Sequence, residues 1–155
     1  MRPAPAPAGW RRVAIPSGAA FSTPPGWRAV KGDRGTASAA LLDASGRYRG
    51  YLNLTPRQST ESLANWATFR VAHNRDEHAT QDVVQSTAHG LRFRDGARGS
   101  CVQDAYATTS GAHYVEIACL VAGRRISTVV VGAALAGAWP QLRPTLQRAV
   151  SAVRS

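Results

Sequence analysis

Apolar and polar residues alternate with a period of two through most of this chain, and with the 3.6-residue helical period in two places. Residues 10–15 and 19–22 read as short strands around Pro16-Ser17-Gly18. Thr23-Pro24-Pro25-Gly26 is a tight turn, and residues 27–30 resume an extended pattern. Residues 36–42 and 48–54 follow as strands. In the second of these, Leu52 and Leu54 take one side and Arg49, Tyr51 and Asn53 the other. Proline and hydroxyl residues at 55–60 then introduce a helix expected over about 61–78. Leu63, Trp66, Ala67, Arg70, Asn74 and Glu77 share one of its sides, apolar in the first half and polar in the second. Residues 83–94 form a strand region interrupted by Gly90, and two further β patterns follow at 99–107 and 113–121. Another spans 126–134. A final helix carries Trp139, Leu142, Leu146, Val150 and Val153 on one stripe, with Pro144 expected either to kink it or to mark its first turn.

The strands near the C-terminus are apolar on both faces. Val115, Ile117 and Val121 alternate with Ala118 and Leu120, and Val129 and Val131 with Thr128 and Val130. A sheet apolar on both sides needs cover on both sides. Two helices and the N-terminal segment can supply it. The expected fold is therefore α+β, a three-layer α/β/α sandwich whose central sheet is mostly antiparallel because its last strands follow one another through short turns. The length of 155 residues suits one domain. It is placed at 10–155, after a Pro/Ala-rich segment at 1–9 that reads as a linker or the stub of a tether. That segment has no apolar run of the kind a signal peptide needs. Residues 126–142 carry no charge, but the stretch is too short to span a bilayer and holds Ser127, Thr128, Pro140 and Gln141.

The chain's two cysteines lie in the strands on either side of the turn Thr108-Thr109-Ser110-Gly111-Ala112. If Ala107 faces His113, then Tyr106 faces Tyr114, Asp104 faces Glu116 and Cys101 faces Cys119. Directly opposed residues have Cβ atoms roughly 4.5–5.5 Å apart, close to the reach of a disulfide. A Cys101–Cys119 disulfide is expected, and with it an oxidising, extracytoplasmic compartment, a cytoplasmic address being the alternative.

Composition adds a charge of +10, from 19 Lys+Arg against 9 Asp+Glu. Lys31 is the single lysine. Arginines are scattered (Arg11, Arg12, Arg28, Arg47, Arg49, Arg70, Arg92, Arg94, Arg124, Arg125) instead of gathered on one face among stacking aromatics, so a dedicated nucleic-acid role is not expected. The bias suits a weak attraction to anionic surfaces.

The segment Phe21-Ser22-Thr23-Pro24-Pro25-Gly26-Trp27 resembles the F-x-x-P-x-G-W opening of the PsbP/Mog1-like superfamily, which includes actinobacterial LpqN-type secreted or lipoprotein domains and sensor-like domains. The ending is similar too: an apolar strand, a helix opening at Trp139, then Leu142, Leu146 and Val150. This resemblance implies an α/β/α sandwich that binds partners or assists assemblies, without enzymatic activity and with no shared catalytic residues. No lipobox cysteine is present, so lipid anchoring is not supported.

Candidate chemistry is sparse. Cys101 with His89 or His113 would make a thiol nucleophile, which a disulfide would silence. His73 and His78 sit about 140° apart on a helix, unlike the i, i+4 pairs that hold zinc. No metal and no cofactor are expected. The facing carboxylates Asp104 and Glu116 could serve acid–base hydrolysis, or an arginine, such as Arg49 from a neighbouring strand, could lie between them in a structural network. Arg49, Tyr51 and Asn53 on the strand and Arg70, His73 and Asn74 on the helix are candidates to line a binding cleft. The expectation is a monomeric binding or accessory domain for a protein partner or small-molecule ligand, with an Asp104/Glu116 hydrolase as the alternative.

Overall fold

The computed structural model describes residues 4–155, so the first residues of the Pro/Ala-rich segment lie outside the described residues. The chain runs β1 (Arg11–Ala14), β2 (Ala20–Thr23), β3 (Arg28–Val30), β4 (Ala37–Leu42), β5 (Tyr48–Pro56), α1 (Trp66–Asp76), β6 (Thr80–Arg92), β7 (Arg98–Ala107), β8 (His113–Val121), β9 (Thr128–Leu135) and α2 (Trp139–Ser151). Strands β3 to β9 form one seven-stranded sheet in the order β3-β4-β5-β9-β8-β7-β6, and β1 and β2 pair as a separate hairpin. All pairings are antiparallel. The sandwich is the expected three-layer α+β arrangement, with α1 on one face and α2 and the β1–β2 hairpin on the other.

Alternation along the strands assigns the residues to these faces. Val115, Ile117, Cys119 and Val121 of β8 pack with Leu52 and Leu54 of β5, Phe21 of β2, and Leu146, Ala149 and Val150 of α2. Ala118 and Leu120 point the other way, to Trp66 of α1. Burying these side chains is worth roughly 1.5–3 kcal/mol each, and the central strands collect that gain on both sides. Pro144 lies inside α2, which continues through it. The Pro24–Trp27 turn delivers Trp27 into the larger core. Gly26 takes φ 83° there, the left-handed conformation that the third position of a type II turn demands. Gly50 admits Trp27: a Cβ at that position would lie 2.9 Å from the indole Cη2.

Helix α1 is shorter than its periodicity suggests. Residue Glu61 precedes it, and its carboxylate accepts the backbone N–H groups of Gln58 (2.7 Å) and Ser59 (2.8 Å), so it builds a turn, not a helical rung. Ser62 and Asn65 exchange side-chain-to-backbone bonds in the next turn. At the other end His78 adopts φ 64°, its N–H reaches Arg75 O, and Ala79 N–H reaches Asn74 O. That is the Schellman termination, with histidine where glycine is usual. His73 stays on the helix and His78 leaves it.

The β7–β8 register pairs Cys101 with Cys119, Asp104 with Glu116, Tyr106 with Tyr114 and Ala107 with His113. Cys101 and Cys119 form a disulfide, their Cα atoms 4.1 Å apart. With both sulfurs bonded, no thiol nucleophile exists in this state. His89 contacts Ser100 instead.

Candidate binding cleft

Helix α1 packs against β6, β7 and β8. It leaves β9, β5 and β4 bare on the same face, and this uncovered half of the sheet is the floor of a cleft of about 420 Å³. Val129, Val131 and Ala133 of β9, Tyr51, Asn53 and Thr55 of β5, and Ser38 of β4 make the floor. Trp66, Phe69, Arg70 and His73 of α1 make one wall, and the Gln58–Glu61 turn and Asp33 close the rim.

The wall begins with an anchored aromatic ladder. Trp66 is buried and donates its indole N–H to the Ala118 carbonyl at 2.8 Å. Phe69 stacks between Trp66 and His73, with ring centroids 6.2 and 6.4 Å away. On the floor, register places Ser38 beside Asn53. Asn53 Nδ2 donates to Ser38 Oγ at 2.9 Å, Thr55 Oγ1 donates to Asn53 Oδ1 at 2.6 Å, and Ser38 Oγ shares a 3.0 Å bond with the Tyr51 hydroxyl. Apolar and aromatic walls carrying a few oriented polar groups are the usual make-up of a ligand pocket.

Deeper in, Arg70 grips Glu116 with both ends of its guanidinium fork, Nε to Oε1 at 2.6 Å and Nη2 to Oε2 at 2.8 Å. Glu116 is fully buried. Burial by itself would lower the Arg70 pKa, but the Glu116 carboxylate outweighs it and the guanidinium is held more firmly protonated than usual. Burial, then the Glu116 charge, push the Tyr106 hydroxyl upward. The arginine that neutralises this carboxylate is therefore Arg70. Arg49 lies at the end of the sheet, its Nη2 3.4 Å from Gln141 Oε1 of α2, and does not line the cleft.

Asp104 lies behind that pair. Asn74 Nδ2 donates to Asp104 Oδ2 (2.9 Å) and to Asp82 Oδ2 (3.1 Å). Asp82 arrives through an irregularity of β6 between Thr80 and Val83. Loss of solvent, then the nearby Glu116 and Asp82 charges, raise the Asp104 pKa to about 8, so it is a neutral acid at pH 7. Asp104 does not line the cleft, and both oxygens of Glu116 are occupied. The two facing carboxylates thus meet as parts of an Arg70–Glu116 and Asn74–Asp104–Asp82 network, without a free base presented to a substrate. Among the described residues no group of three metal-capable side chains converges.

Of the residues singled out in the sequence, Tyr51, Asn53, Arg70 and His73 meet in the cleft. Asn74 lies beneath it and lines a neighbouring recess with Tyr106 and Thr108. Glu77 lines the cleft from the helix side it shares with Arg70, and Ser38, Phe69, Glu61 and Asp33 also line it, though the sequence pattern does not single them out. Ser38 was within reach: it is polar within an otherwise apolar strand and in phase with Asn53. Asp82 was not, because the bulge breaks the alternation that would have assigned it a face.

The architecture is that of the PsbP/Mog1-like fold, as the solved structures show. No protein-family profile matches the chain, and no curated protein matches it in sequence. Solved structures share its fold. Cyanobacterial PsbP (CyanoP) from Synechocystis sp. PCC 6803 superposes with a TM-score of 0.63 at 13% identity, covering 96% of this chain and 93% of that one. The Ran-binding protein Mog1p of Saccharomyces cerevisiae gives 0.57 at 10% identity, with 94% and 95% covered. A Pseudomonas aeruginosa protein of unknown function gives 0.51 at 9% identity, with 92% and 94% covered. At such identities the likeness is one of fold.

Proposed function

We propose that this chain is a non-enzymatic binding domain of an extracytoplasmic compartment, and that the cleft beside α1 is where it holds its ligand. The observation that carries this reading is the cleft itself: a concavity of about 420 Å³ whose strongest acid–base groups are already bonded to each other. Its groups suit recognition, not bond breaking. The disulfide supports the compartment. The resemblance of Phe21–Trp27 to the superfamily that includes LpqN-type secreted domains supports it as well, and the Ran-binding activity named for Mog1p supports a protein partner.

The lining suggests the ligand's chemistry. Asp33, Glu61, Glu77 and Glu116 line the cleft, four of the chain's nine acidic residues, while the single lining arginine is spent on Glu116. On a chain of charge +10 this is a local reversal of sign. Beside Tyr51 and Phe69 it suits a protein segment or small molecule that presents a basic group.

The test is chemical-shift mapping of ¹⁵N-labelled protein titrated with a short arginine- and lysine-containing peptide. Saturable shifts are expected at Tyr51, Asn53, His73 and Glu77, weakened in Tyr51→Ala and Glu77→Gln. Shifts confined to other surfaces would remove the cleft as the site.

A further inference from the structure

A second recess, separate from the cleft, is built from three distant segments: the turn between β1 and β2, the loop before β9, and the C-terminal residues. It has a volume of about 210 Å³ and is lined by Ser17, Arg124, Arg125, Ile126, Thr128 and Ser155, together with Gly18 and Ala19. Two features of it have no use within the fold. The hydroxyls of Ser17 and Thr128 are buried and have no hydrogen-bond partner, and Thr128 is only 1% exposed. A buried hydroxyl without a partner costs about 1–3 kcal/mol, so two in one recess are unusual. Arg124 and Arg125 are exposed beside them, and neither is ion-paired; among the described residues the ion pairs are Arg47–Asp43 and Arg70–Glu116. Ser155 donates its N–H (2.8 Å) and hydroxyl (3.4 Å) to Asp95 Oδ2.

We propose that this recess binds a tetrahedral oxyanion of the phosphate class. Its oxygens would accept N–H groups from Arg124 and Arg125, whose planar forks suit such an anion. The Ser17 and Thr128 hydroxyls would donate to the same oxygens and gain the partners they lack. A tetrahedral anion offers oxygens in several directions to donors that converge from separate segments, whereas a planar carboxylate presents its lone pairs in one plane. The phosphate could be free in solution or belong to a lipid headgroup.

The experiment uses the full chain and inorganic phosphate as probe, against chloride at matched ionic strength. Saturable ¹⁵N shifts are expected at the Arg124 and Arg125 side chains and at the Thr128 amide. The double variant Arg124→Ala/Arg125→Ala, which removes only exposed side chains, should weaken binding at least tenfold. Thr128→Val keeps the shape and removes the hydroxyl, and should weaken it several-fold with an unchanged circular dichroism spectrum. A parallel arm uses phosphatidylglycerol vesicles with phosphatidylcholine vesicles as control. Cosedimentation that requires both the arginines and Thr128 assigns the oxyanion to a headgroup, and phosphate binding without it assigns a soluble ligand. If neither phosphate nor the vesicles bind saturably, if chloride produces the same shifts, or if Thr128→Val binds phosphate as tightly as the native chain, the proposal fails. The Tyr51→Ala variant should bind phosphate normally, which separates this outcome from that of the cleft.

Discussion

At the scale of single residues, the buried charges beneath α1 decide the character of the site. Glu116 is fully buried, and Arg70 bonds both of its carboxylate oxygens. Arg70→Met should therefore cost about 3–5 kcal/mol by stranding that charge. The double variant Arg70→Met/Glu116→Leu should recover most of the loss, since an apolar pair needs no neutralisation. Chemical denaturation measures both, and a single variant within 1 kcal/mol of the native chain would mean that Glu116 finds another partner. Asp104 makes a different prediction. Its folded pKa of about 8 lies above the ordinary value of 3.8, so between these limits the native chain holds a proton that the unfolded chain has released. The stability from this group is fully present below the unfolded value and is lost as pH rises to about 8, at up to about 1.4 kcal/mol per pH unit. Asp104→Asn fixes the neutral form, keeps an acceptor for Asn74 and offers an N–H to Asp82. It should raise the melting temperature at pH 8 and flatten the slope between pH 5 and 8. An undiminished slope would place the titration elsewhere.

At the scale of elements, the hairpin of β7 and β8 shows what its disulfide does. The bridge closes 18 residues, and loop-closure entropy gives such a ring roughly 3 kcal/mol. Nine residue pairs already hold these strands, so the gain in the native context is smaller. Cys101→Ala/Cys119→Ala should lower the melting temperature by about 3–10 °C while the circular dichroism spectrum is kept. No loss would show that the ladder alone fixes the hairpin. The register of this pair was legible from the turn: once Thr108–Ala112 sets Ala107 opposite His113, the same pairing carries through to Asp104 with Glu116 and Cys101 with Cys119. The three layers were legible because β8 and β9 are apolar on both faces and need cover on both sides. Boundaries were not: Glu61 reads as a helix residue until its carboxylate is seen bonded to Gln58 and Ser59. Part of the cleft floor was visible as the polar phase of β5, Tyr51 and Asn53. Arg49 shares that phase but sits where the chain passes toward α2, and only the three-dimensional end of the sheet turns it to Gln141. Local periodicity reports which face a residue takes, not how far along the sheet a helix extends, and α1's short reach is what opens the cleft.

At the scale of the whole molecule, charge is the property that no element explains. Nineteen basic residues stand against nine acidic ones. Four of the acids line the cleft, and Asp82 and Asp104 are held beneath it. The rest of the chain carries a strong excess of positive charge, and among the described residues the ion pairs Arg47–Asp43 and Arg70–Glu116 offset little of the repulsion. Self-repulsion of this kind opposes the compact state and is screened over about 8–10 Å at physiological salt. Raising sodium chloride from about 10 to 150 mM, where the Debye length falls from about 30 to 8 Å, should thus raise the melting temperature by a few degrees. A fall would mean that attractive pairs dominate after all. Phosphate at the same ionic strength screens equally, but a ligand that binds only the folded chain adds RT ln(1 + [L]/Kd) to its stability. The melting temperature in phosphate should therefore exceed that in chloride, and the difference should vanish in Arg124→Ala/Arg125→Ala. Persistence of the difference in that variant would locate the bound oxyanion away from the recess beside Thr128.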